Sequence, residues 1–409
     1  MYRVEISSAR RRTLVLATAV FSALVLSVFA VGGARFAAAQ EAEADFTPGA
    51  VFGMSNEVDG NEVVAFNRGS DGRLEPAGTF ETGGTGSGTI EDSANGVILA
   101  NRSGESSPNN LQGTARFLFA TNAGSDSISV FRVEPDGLEL VDVEPSNGQR
   151  PTSVTVSKGV VYVMNSGGFM CSGTDGTPPN ITGFDLDQQG ELTPIPGSTR
   201  PLSGGATSGC NQVSFNKSGD VVVVTQQQAD IIDTFTVNDD GTLNGPTPQQ
   251  STGNGPFGFA FTQRDQLVTT ENFGAAPGQG GAASYDVERD GTLTPLSPTV
   301  RNGQSDTCWV VITDDNRYAY AASFGDDGAI SSYRVEPDGN LVLLNSQEET
   351  TGSSTADSAL SADSKYLYVR NSNRNTITAF RVENDGGLTR IQEVQSGLPS
   401  GGALGIAAK

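Results

Sequence analysis

The sequence predicts an all-β fold: a seven-bladed β-propeller of four-stranded antiparallel blades. Three observations predict it. A strand–turn–strand unit recurs seven times, and an apolar strand precedes each copy. Gly makes up 51 of the 409 residues, and no helical periodicity of useful length follows residue 40.

The repeated unit reads "NEVVAFNRGSDGRL" (61–74), "DSISVFRVEPDGL" (126–138), "NITGFDLDQQGEL" (180–192), "DIIDTFTVNDDGTL" (230–243), "GAASYDVERDGTL" (281–293), "GAISSYRVEPDGNL" (328–341) and "NTITAFRVENDGGL" (375–388). Each copy has one aromatic (Phe66, Phe131, Phe184, Phe235, Tyr285, Tyr333, Phe380), then an Asp-Gly or, once, a Gln-Gly turn, then Leu. Asp-Gly is favoured hairpin chemistry because Gly accepts the positive φ of a tight turn. Apolar strands such as "FLFATNAG" (117–124) and "YLYVRNSN" (366–373) precede the units, and a third family, such as "NGVILANRSG" (95–104), precedes those. With the strand after each turn, every repeat has four.

The elements run in order as follows. Arg10, Arg11 and Arg12 precede an apolar run from Leu14 to Val31, and Ala37 and Ala39 flank a cleavage site before Gln40. This reads as a signal peptide over 1–39. The alternative is a retained anchor over 14–31, because the run is long for a signal. A short linker (40–48) leads to the propeller (49–409). Its first repeat begins at its second strand, "AVFGMSN", and "ALGIAAK" (403–409) is an orphan innermost strand. The C-terminus is therefore expected to complete the N-terminal blade and leave no open sheet edge. Export to the periplasm, the cell surface or the medium is expected, as a monomer with no membrane span once the signal is cleaved.

The formal net charge is −22, and there is no His. The acidic balance excludes grip on nucleic acid through phosphates. The missing imidazole excludes His-ligated metals and Ser-His-Asp or Cys-His machinery. No metal or other cofactor is expected, since the Asp-Gly segments lack the spaced ligands of a Ca²⁺ loop. Long insertions, among them residues 82–96, 169–180, 197–210, 275–283 and 300–308, gather on the face opposite the Asp-Gly turns. Loops held by a rigid scaffold are where sites form. Cys171 and Cys210 lie on that face of neighbouring blades and are expected to form a disulfide, as an exported chain permits. Cys308 reads as a small buried residue near the channel.

The units "ARFLFATNAGSDSISVFRVEPDGL" and "SKYLYVRNSNRNTITAFRVENDGGL" resemble the seven-bladed lactonase family, which includes 6-phosphogluconolactonase and carboxymuconate cyclases. The resemblance implies a lactone-hydrolysing site with Arg and His at the start of one inner strand and Glu at the end of the next. The matching stretch here is "SGCNQVSFNKSGDVVVVTQQQ", which places Asn211, Gln212 and Gln226 or Gln227 at those positions. Amides bond a ligand but do not carry protons at neutral pH. A relocated pair, Glu271 as base with Arg150, is the catalytic expectation. Asn211, Gln212, Gln226, Asn272, Arg301 and Arg370 are the expected ligand-binding residues, with Asp306 and Asp357 on the same face. Glu271 has a second reading, as one of a ring of strand-end polar residues (Asn56, Asn122, Asn165, Gln226, Glu271, Ser323, Asn371) that bond loop backbone. Two functions stand: an exported lactonase-like hydrolase, or a non-catalytic propeller that binds a glycan or protein at the cell envelope.

Overall fold

The computed structural model describes residues 43–102, 115–173, 177–325, 327–352, 354–399 and 405–409. The signal or anchor over 1–39 lies outside them. Seven antiparallel sheets follow one another around a ring. Blade 1 contains Gly49–Met54, Glu62–Arg68 and Leu74–Glu81; blade 2 contains Val97–Ala100, Phe117–Asn122, Ser127–Glu134 and Gly137–Pro145. Blade 3 is built on Pro151–Ser157, Val160–Asn165, Asn180–Leu186 and Leu192–Pro194, with Arg200–Pro201 as a short addition. Blades 4 to 7 begin with the inner strands Cys210–Phe215, Pro256–Phe261, Thr307–Ile312 and Thr355–Leu360. Ile406–Ala408 pairs antiparallel with Gly49–Met54 and supplies the inner strand of blade 1. The closure is reinforced by Lys409 N–H donating to Ala50 O (2.8 Å) and Arg68 Nε donating to Lys409 O (3.0 Å).

The repeated aromatic explains how blades stack. Phe131 packs in the cluster between blades 1 and 2, and Phe184 in that between blades 2 and 3. Phe235, Tyr285, Tyr333, Phe380 and Phe66 do the same at the five remaining junctions. All seven are buried. The inner and second strands therefore bury side chains on both faces, which is why the apolar strands do not alternate.

The Asp-Gly turns have a second task. A turn carbonyl at the tip of one blade accepts a hydroxyl from the blade before it. Tyr162 reaches Gly241 O (2.6 Å), Thr234 reaches Gly291 O (2.7 Å) and Ser284 reaches Gly339 O (2.6 Å). Tyr320 reaches Gly386 O and Tyr368 reaches Gly72 O, each at 3.0 Å. The turn chemistry read from the sequence thus also latches neighbouring blades.

At the other face, the strand-end ring holds the loops. Asn56 Nδ2 donates to Thr89 O (2.7 Å), and Gln226 Oε1 accepts from Gly204 N (2.9 Å) and Ser208 Oγ (2.8 Å). Asn122 and Asn371 each bond two hydroxyls of the next strand. Gly84 and Gly148 press on Asn122 and Asn165 so closely that an added Cβ would lie 2.4 Å from the Asn side chain, which requires glycine there.

Candidate functional site

One loop breaks the symmetry of the ring. Residues 89–96 leave blade 1 and cross the central channel before blade 2 begins. Trp309 Nε1 of blade 6 donates to Ser93 O (3.1 Å), and Ala94 N–H donates to Asn211 O of blade 4 (2.9 Å). Ser93 Oγ donates to Thr152 O of blade 3 (3.0 Å), and Val154 N–H to Asn95 O (3.0 Å). This plug and the inner strands of blades 5 to 7 form an apolar cluster of Ala94, Phe257, Cys308, Trp309, Ala322 and Ala356, with Ile90 and Phe324 against it.

Above the plug lies a cavity of about 310 Å³, walled by Ile90, Met170, Trp309 and Phe324 and carrying Asp92, Gln227, Asn272, Asp306 and Cys308. Asp92 is the centre of its polar wall. Its backbone is left-handed (φ +47°), its carbonyl accepts from Asn211 Nδ2 (2.8 Å), and its Oδ2 accepts from Gln227 Nε2 (2.7 Å). Gln227 Oε1 in turn accepts from Asn272 Nδ2, and Asn272 Oδ1 accepts from Gly274 N–H (3.0 Å). Across the cavity, Cys308 Sγ donates to Asp306 Oδ1 (3.3 Å).

Burial lifts the Asp92 pKa to about 6; the Gln227 hydrogen bond works against this and the charge of Asp306 adds to it. Burial likewise raises Asp306, opposed by the Cys308 bond. The Cys308 thiol is pushed well up by burial and by both carboxylates, so it stays protonated and unreactive. Among the described residues, no Lys or Arg side chain lines the cavity. A carboxyl group titrating near neutrality in a largely apolar cleft suits proton transfer.

The residues expected from the sequence fall in several places. Asn272 lines the cavity, and Asn211 holds the plug beneath it. Gln212 clasps the next inner strand, donating to Phe259 O (2.9 Å) and accepting from Phe259 N–H (2.8 Å). Gln226 points into the loop that it anchors, while Gln227 faces the cavity. Glu271 is fully buried and accepts from Ser251 Oγ (2.6 Å), Gly253 N–H (2.7 Å) and Thr299 Oγ1. Arg150 forms a bidentate pair with Glu91 (Nε–Oε2 2.8 Å, Nη2–Oε1 3.1 Å) and donates to Thr89 Oγ1 (2.5 Å). Neither lines the cavity, and the structure does not bring the two into contact. Arg301 is exposed and sits over the Phe273 ring (3.5 Å). Arg370 is buried, its Nη2 donating to Pro399 O (3.0 Å), and burial lowers its pKa to about 10. Asp357, beside it, is raised by burial to about 7. Cys171 and Cys210 are joined by a disulfide (Cα–Cα 5.4 Å), which ties the Met170 loop of blade 3 to blade 4. Among the described residues, no cluster of three or more metal-ligating side chains occurs.

Asp92 is the candidate residue of the cavity that sequence reading missed. The only signal was its place in a Gly- and Ser-rich insertion on the loop face, with nothing local to say that the insertion crosses the channel.

With that geometry in place, comparison with known proteins is informative. A family model described as "Lactonase, 7-bladed beta-propeller" matches residues 268–359. The chain has a seven-bladed propeller fold, the fold that this family model describes. This propeller superposes on a putative 6-phosphogluconolactonase from Bacteroides fragilis with a TM-score of 0.65 at 16% identity, covering 88% of this chain and 97% of that one. A Pseudomonas aeruginosa periplasmic gluconolactonase gives a TM-score of 0.65 at 15% identity, with 88% and 98% coverage. A Lactobacillus plantarum protein gives 0.65 at 16% identity, with 88% and 99% coverage. At these identities the likeness is one of fold. No curated protein matches the sequence.

Proposed function

We propose that this propeller is an exported hydrolase that opens an uncharged lactone in the central cavity, with Asp92 as general base. The observation that carries the reading is the Asp92 carboxyl, with its pKa near 6, set in the wall of a cavity that has no cationic side chain among the described residues. At neutral pH the carboxylate takes a proton from water as the oxygen attacks the lactone carbonyl. The tetrahedral intermediate then expels its ring oxygen, which takes the proton back from Asp92. One water and one lactone give one hydroxy acid, and Asp92 is regenerated. The product ionises to a carboxylate, which the Asp92 and Asp306 charges repel, so the same field that favours neutral substrate speeds release.

The amides at Asn211, Gln212 and Gln226 or Gln227, where the resemblance implies Arg, His and Glu, fit loss of an anionic substrate and not loss of all chemistry. The signal-like segment 1–39 and the Cys171–Cys210 bridge support export to an oxidising compartment. The second reading, a binding propeller for a glycan or protein, draws on those same amides, which bond ligands without moving protons.

The test is hydrolysis of neutral sugar and acyl lactones against anionic muconate and phosphorylated ones by purified residues 40–409. Turnover of neutral lactones, reduced about 10²–10⁴-fold in Asp92→Asn, is expected. Equal turnover in that variant, or turnover confined to anionic lactones, would refute the assignment. Inactivity on every lactone, with a hit on a glycan array, would establish the binding reading instead.

A further inference from the structure

We propose that Gln227 and Asn272 form a one-directional amide relay that positions the Asp92 carboxylate and holds a donor on it, making Gln227 the positioning residue of the site. The inference rests on the reading of Asp92 as base. Its direction comes from the backbone. Gly274 N–H can only donate, so the atom of Asn272 facing it is the oxygen, Oδ1 (3.0 Å). The amide nitrogen of Asn272 must then face Gln227 Oε1, which leaves Gln227 Nε2 to donate to Asp92 Oδ2 (2.7 Å). Flipping either amide would set N–H against N–H or oxygen against oxygen, so the terminal amides have one consistent assignment. The relay links loops of blades 4 and 5 to the plug, and a donor fixed there favours the charged form of Asp92.

The relay opposes everything else around Asp92. Asp306 faces it from blade 6 and its charge disfavours the ionised form of Asp92, while the Cys308 thiol beside it stays protonated. The adjacent Glu91 charge is already paired with Arg150 from the start of blade 3. Asn211 of blade 4 touches only the Asp92 carbonyl. Gln227 is therefore the one side chain bonded to the carboxylate among the described residues. Glu at position 227 would instead set two carboxylates in hydrogen-bond contact. The Asp-bearing plug and the amide at 227 thus read as one exchange: the ionisable group sits on the loop, and the strand end supplies its donor.

The chain carries its own reporter. Trp309 is its single tryptophan, lines the cavity, and is bonded to the residue following Asp92. Tryptophan fluorescence is titrated from pH 4 to pH 9 on purified residues 40–409. Wild type is expected to show a transition near pH 6 that Asp92→Asn removes. Gln227→Leu should move that midpoint up by about one pH unit. Asn272→Ala, which leaves the Asp92 contact in place, should move it in the same direction by less. It also serves if Gln227→Leu fails to fold. An unmoved midpoint in a folded Gln227→Leu protein, or a transition that persists in Asp92→Asn, would overturn the relay. Lactone turnover is measured separately on the same samples. A shifted midpoint in a protein that hydrolyses nothing keeps the relay and rejects the base.

Discussion

Removing the Cys171–Cys210 bridge perturbs stability and the cavity together, because Met170, which lines the cavity, is the neighbour of Cys171. The two cysteines lie 39 residues apart in sequence. Closing a loop of that length removes about 13 cal/mol/K of unfolded-chain entropy, or about 4 kcal/mol at 25 °C. For a chain of this size the unfolding entropy is about 0.8 kcal/mol/K, so the loss corresponds to a fall in Tm of about 5 °C. Met170 and Cys171 both have left-handed backbones (φ +54° and +52°), which non-glycine residues hold only when the surroundings enforce it. Without the bridge this turn is expected to relax and withdraw Met170 from the cavity wall. The assay compares urea unfolding, followed by circular dichroism, of wild type and Cys171→Ala/Cys210→Ala, with lactone KM measured on both. A stability difference below about 1 kcal/mol, with the bridge shown present in wild type by thiol titration, would refute the entropy argument. An unchanged KM would refute the coupling to the cavity.

Two further outcomes follow from buried carboxyl groups. Asp357 has a folded pKa of about 7, raised by burial above its ordinary value near 3.8, so its contribution to stability is most favourable below pH 3.8 and is lost as pH rises through 7. The ionised form at pH 8 costs up to about 4 kcal/mol. Asp357→Asn should therefore gain on wild type in thermal melts at pH 8 relative to pH 5, and a pH-independent gap would contradict this. Glu271→Gln keeps an oxygen on Gly253 N–H but turns the other acceptor into an N–H, which the Thr299 hydroxyl must rotate to accept, and should lower stability by about 1 kcal/mol. Its lactone turnover per folded molecule should match wild type; a hundredfold loss would restore Glu271 to the catalytic role.

The blades were legible in the sequence because their determinants are local and repeated. An Asp-Gly turn, an aromatic seven or eight residues before the Leu that heads the returning strand and an apolar neighbour each act within a dozen residues, and seven copies average away individual exceptions. Even the ring closure was legible, as a strand missing at one end and spare at the other. The site was not, because it is made where the repeat is broken. Asp92 meets Gln227 across 135 residues of sequence and Trp309 meets Ser93 across 216. The column alignment that finds Glu271 also explains why it is not in the cavity. None of the seven strand-end residues of the column lines the cavity; the residues one position further, Gln227, Asn272 and Phe324, do.

That offset has a consequence for how a propeller of this kind acquires chemistry. The inner strands and strand-end ring are committed to holding seven blades together: Gln212 clasps blade 5, Glu271 holds its loop, and Arg370 is buried behind Pro399. A charge placed on these positions must satisfy the scaffold first. The plug belongs to no sheet: its backbone at Ser93, Ala94 and Asn95 and the side chains of Ser93 and Glu91 hold it to the blades. That leaves the Asp92 carboxyl to set the charge of the cavity wall from the plug. Carrying Asp92 on the plug, with the amides of Gln227 and Asn272 and the carboxyl of Asp306 on the scaffold around it, separates the residue proposed to react from most of the residues that fold.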